Sequence, residues 1–163
     1  ERYAFRQFPV EVSSYVYEDF TCGKSQSYFT PHHLVDLRLA EAMPETDLVS
    51  ALQKNDPRRV GAESAFPLLD PAAGSGVFLV GAWRRLVESF LLFEPSPSPA
   101  ILKRLMTDNV FCVDIEKNSV ELTIFSLCVA LCSRFPQHLD DPSSVFTHLR
   151  KLRFLRLHGS HLC

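Results

Sequence analysis

The sequence predicts an α/β domain built on a doubly wound parallel sheet, and three observations carry that expectation. A short apolar run over residues 66–70 ends in Asp70 and is followed at once by a Gly-rich turn and a long segment of helical period. A second run over residues 109–113 ends before Asp114 and again leads into a helical segment. Two successive strand-to-helix units imply parallel strands joined by helical crossovers. The chain is also long enough, at 163 residues and 46% hydrophobic content, to bury the core of one ordinary domain.

Taken in order, Val12, Val16 and Phe20 stand four apart, which predicts a helix over residues 12–20. Thr30 and Pro31 read as an N-cap and first-turn proline, opening a helix that passes Leu34, Val35, Leu37 and Leu39 and ends before Pro44. After the Gly-rich turn, Leu79, Ala82, Trp83, Leu86, Val87 and Phe90 recur at intervals of three and four, with Arg84, Arg85 and Glu88 on the other face. Asn118 with Glu121 resembles a capping box opening a helix to residue 131. Breaks in the pattern fall at residues 53–59, 94–99 and 134–144, all rich in proline or polar residues. They read as linkers within the partial cofactor-binding domain expected over residues 27–163, which follows a helical segment over residues 1–26.

Charge and cysteine content narrow the function classes. With 17 Lys+Arg against 19 Asp+Glu there is no global basic field for nucleic acid, so any DNA contact is local. Apolar runs such as residues 77–80 fall far short of the roughly 20 residues that span a bilayer. The opening ERYAFRQF has no features of a secretory signal, and the chain reads as an internal piece of a cytoplasmic protein. Its five cysteines form no CxxC pair and read as reduced thiols, with Cys128 and Cys132 as small buried hydrophobes. The adjacent His32 and His33, and the trio His158, His161 and Cys163, are not expected to hold a metal. Arg150, Lys151, Arg153 and Arg156 read as the solvated side of an amphipathic segment.

The turn DPAAGSG over residues 70–76 is where chemistry is expected, because ligands of parallel sheets bind at the carboxyl ends of the strands. Gly74 and Gly76 permit backbone angles closed to other residues and a close ligand approach, the helix start supplies N–H groups, and Asp70 is a fixed acceptor. A dinucleotide fingerprint would need a third glycine where Leu79 stands, and a P-loop would need GK[ST]. An acid and a proline before the glycines suit a ligand carrying a cation and hydroxyls.

Three segments together resemble a family. SYFTPHHLVDLRL over residues 27–39, LLDPAAGSGVFLV over 68–80 and VFCVDIEKNSVELTIFSLCVAL over 110–131 are similar, in the same order, to motifs of the adenine-N6 DNA methyltransferases. The likeness is greatest to the modification subunits of type I restriction systems and to fused restriction–modification enzymes, and SSYVYEDF over residues 13–20 resembles the helix before their first motif. The resemblance implies a class I, Rossmann-like fold that binds S-adenosylmethionine. It implies that Asp114 accepts the ribose hydroxyls and that Ile115 forms an apolar wall against the adenine. Asp70, Pro71, Ala72, Gly74, Ser75 and Gly76 would hold the methionine moiety, and Tyr28, Phe29, Thr30 and Pro31 would close over the cofactor.

Double-stranded DNA and restriction or specificity subunits are the partners the resemblance implies for a full-length enzyme. The family's catalytic Asn/Asp-Pro-Pro-aromatic tetrapeptide occurs nowhere in the 163 residues, and Ser160 and His161 stand where the family tends to have an acid or an amide. No catalytic residue is therefore assigned, and the chain by itself is expected to bind cofactor without transferring methyl. The alternatives are a non-catalytic scaffold module of the same fold, or a methyltransferase acting on RNA or protein.

Overall fold

A computed structural model describes residues 30–134 and a two-residue strand at 155–156. The elements among them are α1 (His32–Ala42), α2 (Glu45–Lys54), β1 (Leu68–Asp70), α3 (Val77–Leu91), α4 (Pro99–Asn109), β2 (Val110–Asp114), α5 (Lys117–Arg134) and β3 (Leu155–Arg156). The helix expected over residues 12–20, Tyr28, Phe29, residues 135–144 of the third break, and Ser160 and His161 lie outside the described residues. So do Cys163, His158 and all but the Arg156 backbone of the basic cluster.

The strands are parallel and lie in the order β1-β2-β3, so the chain is of the α/β class. Leu68 pairs with Val110 and Asp70 with Cys112, leaving Val113 and Asp114 to extend past the end of β1. That overhang is the edge on which the 70–76 loop settles. Leu68 packs against the core that holds Val110 and Cys112, whereas Leu69, on the opposite face, is 63% exposed.

Helix α3 is the hub of the core, packing against α1, α2, α4, α5 and both β1 and β2. Its apolar face is the one the sequence period marks: Leu79, Ala82, Trp83, Leu86, Val87 and Phe90 are all buried. Gly81 lets α1 approach, because a methyl group there would lie 2.6 Å from Leu39 Cδ1. Arg85, expected on the polar face, donates from Nη2 to the Met43 carbonyl at 3.0 Å and so closes the end of α1.

Several local expectations are corrected. Thr30 is not the cap of α1: Pro31 holds that position with no side-chain cap, its carbonyl accepting the Leu34 and Val35 N–H groups. The helix does end before Pro44, which itself stands at the start of a second helix, α2. Asn118 lies inside α5, which begins at Lys117, so no capping box forms; the Glu116 carbonyl accepts the Ser119 and Val120 N–H groups instead. Asn109 ends α4, a helix opened by Pro99 after Ser98, rather than starting a strand.

Two polar clusters fix the connectors around β1. Asn109, 3% exposed, accepts at Oδ1 from Ser64 Oγ (2.9 Å) and the Phe66 N–H (2.7 Å), and donates to the Leu105 carbonyl at 2.8 Å. The approach to β1 is thereby tied to the end of α4. Arg58 pairs with Asp56 through Nε and Nη2 and reaches Glu94 with Nη1 at 2.8 Å, joining the first and second breaks. The side-chain bonds from Arg58 hold the Asp56 carboxyl below its ordinary 3.8, against the opposing effect of burial. Its stabilising contribution is complete above that value and is lost as pH falls through the folded-state value.

Replacing Asn109 by Ala removes the acceptor of a covered backbone N–H and a hydroxyl together. A loss of about 2–3 kcal/mol in the free energy of unfolding is expected, measured by urea denaturation; a change within error would show that water replaces these bonds without penalty.

Candidate functional site

The 70–76 loop crosses from the end of β1 to the start of α3 alongside the overhanging residues of β2. The Ala72 N–H donates to Asp70 Oδ1 at 3.0 Å, starting the turn. The Ala73 N–H then donates to the Val113 carbonyl at 3.2 Å, and the Gly74 N–H donates to Asp114 Oδ2 at 2.9 Å. The Gly76 N–H turns back to the Ala73 carbonyl at 2.7 Å. Asp114 Oδ1 meanwhile accepts the Glu116 N–H at 2.9 Å, setting the entry to α5. A carboxylate offers about four lone-pair sites, so each Asp114 oxygen keeps capacity for a further donor.

The two loop glycines have positive φ for different reasons. At Gly76, with φ 82°, an added Cβ would lie 2.9–3.0 Å from Cγ2, Cα and Oγ1 of Thr123, so α5 allows no side chain there. At Gly74, with φ 55°, an added Cβ meets nothing nearer than the Ala72 carbonyl oxygen at 4.0 Å. The space over Gly74 is therefore open. The Gly74 and Gly76 N–H groups are engaged inside the protein, whereas the first N–H groups of a helix have no partner within it.

The side chains expected to serve the ligand are partly gathered. Asp70, Gly74, Ser75 and Asp114 are half-buried around the strand ends, with Pro71, Ala72 and Ile115 exposed beside them. Ile115 is 73% exposed, an apolar surface next to Asp114. Thr30 and Pro31 stand at the start of α1, which packs on α3 rather than on the sheet.

Burial raises the Asp70 carboxyl above its ordinary 3.8; the Ala72 N–H opposes this, and the Asp114 charge adds to it. Burial foremost, then Asp70 and Asp114, pushes the Cys112 thiol up to about 12, so it is a neutral apolar filler under the site. Burial does the same to Cys128, also to about 12, and raises Cys132. These three cysteines are free thiols, and none is activated. Among the described residues no group of three His, Cys, Asp or Glu is placed to hold a metal.

Sequence reasoning missed the hydroxyls beneath the loop. Thr123 Oγ1 donates to the Gly74 carbonyl at 3.2 Å and Ser126 Oγ to the Ser75 carbonyl at 3.1 Å. The signal was present as Ser119, Thr123 and Ser126, small hydroxyl residues at intervals of four and three in a helix rich in apolar residues. Comparison with known protein families, curated proteins and solved structures found no match to this chain.

Two outcomes follow from this geometry. Gly74→Ala is expected to lose only the roughly 1–2 kcal/mol of left-handed backbone strain, and Gly76→Ala about 3 kcal/mol because strain and collision with α5 add; chemical denaturation compares them, and equal losses would contradict the assignment. For Asp70, a folded-state value above the unfolded one means that its contribution is complete below 3.8 and is lost as pH rises through the folded value. Asp70→Asn is therefore expected to raise the ligand-free Tm near neutral pH, with the gain shrinking in acid; a variant less stable at neutral pH would refute this.

Proposed function

We propose that the chain is the S-adenosylmethionine-binding portion of an adenine-N6 DNA methyltransferase, of Rossmann-like, doubly wound fold and cytoplasmic location, from a restriction–modification or phage-defence system. The observation that carries the reading is the bond from the Gly74 N–H to Asp114. It links two of the three segments that resemble the family, the Gly-rich turn and the acid ending the next strand, at one edge of the sheet.

The chemistry of that edge suits the cofactor. Asp70 and Asp114 place two carboxylates near a ligand carrying an ammonium and a sulfonium, and a cation between them relieves the repulsion that helps raise Asp70. The remaining acceptor capacity of Asp114 suits the ribose hydroxyls, and exposed Ile115 suits one face of the adenine. The carboxylate of the ligand would take the first-turn donors of α3. Thr30 and Pro31, with Tyr28 and Phe29, would close over it.

In a full-length enzyme the adenine amino group would attack the sulfonium methyl, promoted by positioning and by acceptors on that amino group. The residues for that step belong to the tetrapeptide this sequence lacks, so double-stranded DNA and the restriction or specificity subunits are partners of the longer enzyme. No described helix is long and apolar enough to cross a membrane.

Calorimetric titration with S-adenosylmethionine tests the proposal. Saturable one-to-one binding is expected, and Gly74→Ala is expected to weaken it at least about tenfold by filling the space over the loop, a loss in Kd equivalent to about 1.4 kcal/mol. No heat from a folded wild-type chain at millimolar ligand would overturn the reading. A radiolabelled methyl-transfer assay with the isolated chain and DNA should give no incorporation.

A further inference from the structure

We infer that Thr123 and Ser126 on α5 are positioning residues for the 70–76 loop, holding it in its ligand-competent shape from below. Both side chains are buried, at 0% and 1% exposure, in a helix whose other buried positions are mostly apolar. A hydroxyl within a helix commonly bonds back to the carbonyl one turn earlier. These two reach across 49 and 51 residues to the consecutive carbonyls of Gly74 and Ser75.

The arrangement answers a specific difficulty. The loop's N–H groups are held by Asp70, Val113, Asp114 and Ala73, but those bonds leave the Gly74 and Ser75 carbonyls able to turn toward the ligand side. Turned outward, they would present negative dipoles to the anionic end of a ligand. Drawn down to α5, they leave the rim to the first-turn N–H groups of α3 and to the two carboxylates. The tight fit of Gly76 over Thr123 fixes the height of the loop at the same point. Helix α5 therefore supports the loop from below while Asp114, just before the same helix, clasps its Gly74 N–H.

The ligand arm of the test rests on the proposed cofactor reading; the exchange arm does not. Thr123→Val keeps the shape and removes the hydroxyl, and Thr123→Ser restores it. Amide hydrogen exchange without ligand is expected to be about tenfold faster at Gly74 and Gly76 in Thr123→Val, near wild type in Thr123→Ser, and unchanged along α4 in both. The Kd for S-adenosylmethionine should rise about tenfold in Thr123→Val and recover in Thr123→Ser. Ser126→Ala should act in the same direction. Loop exchange unaltered by Thr123→Val overturns the inference, as does wild-type affinity in that variant. Loop exchange that quickens in a protein binding no S-adenosylmethionine upholds the positioning role and defeats only the cofactor reading.

Discussion

The bond from the Gly74 N–H to Asp114 is the interaction on which the arrangement of the strand ends depends. It exists because β2 runs two residues past its pairing with β1, so that Val113 and Asp114 form a ledge beside the loop. Val113 binds the loop through its carbonyl, and Asp114 binds it through a carboxylate oxygen. A charged acceptor makes a stronger bond than a neutral one, and here it offsets the strain of a left-handed residue. The same carboxylate sets the start of α5 through Glu116, so one side chain orders both the loop before α3 and the helix after β2.

Around that clasp two acids stand close together. Burial foremost, with the Asp114 charge adding to it, raises the half-buried Asp70 carboxyl, which is unfavourable where Asp70 is ionised. The remainder of the fold supports this arrangement with ordinary packing. Trp83, Leu86 and Phe90 bury α3 against its neighbours, Asn109 secures the approach to β1, and Arg58 joins the connector before β1 to the one after α3.

The parts of this structure legible in the sequence are those set by period and by punctuation. The face of α3 could be read because six apolar residues repeat at helical spacing and the helix is packed along its length. The two strand ends could be read because each apolar run stops at an acid, and the parallel sheet then brings those acids to one edge. Helix starts were less legible, because a cap depends on where the backbone leaves the extended region. Thr30 and Asn118 have the right chemistry for caps, but the chain turns one or two residues away from each. Helix α4 was hidden because a Pro-rich connector leads into it, although Ser98 followed by Pro99 is itself a helix start. The bonds of Thr123 and Ser126 to the loop could not be read at all, since they join positions about 50 residues apart and depend on how α5 packs.

The most direct test of this organisation is the chemical shift of the Gly74 amide proton, followed by nuclear magnetic resonance without ligand. A downfield resonance in the wild-type chain that moves upfield in Asp114→Ala, with the amides of α4 unmoved, is the expected result. A Gly74 resonance unmoved by Asp114→Ala would contradict the clasp and the site built on it.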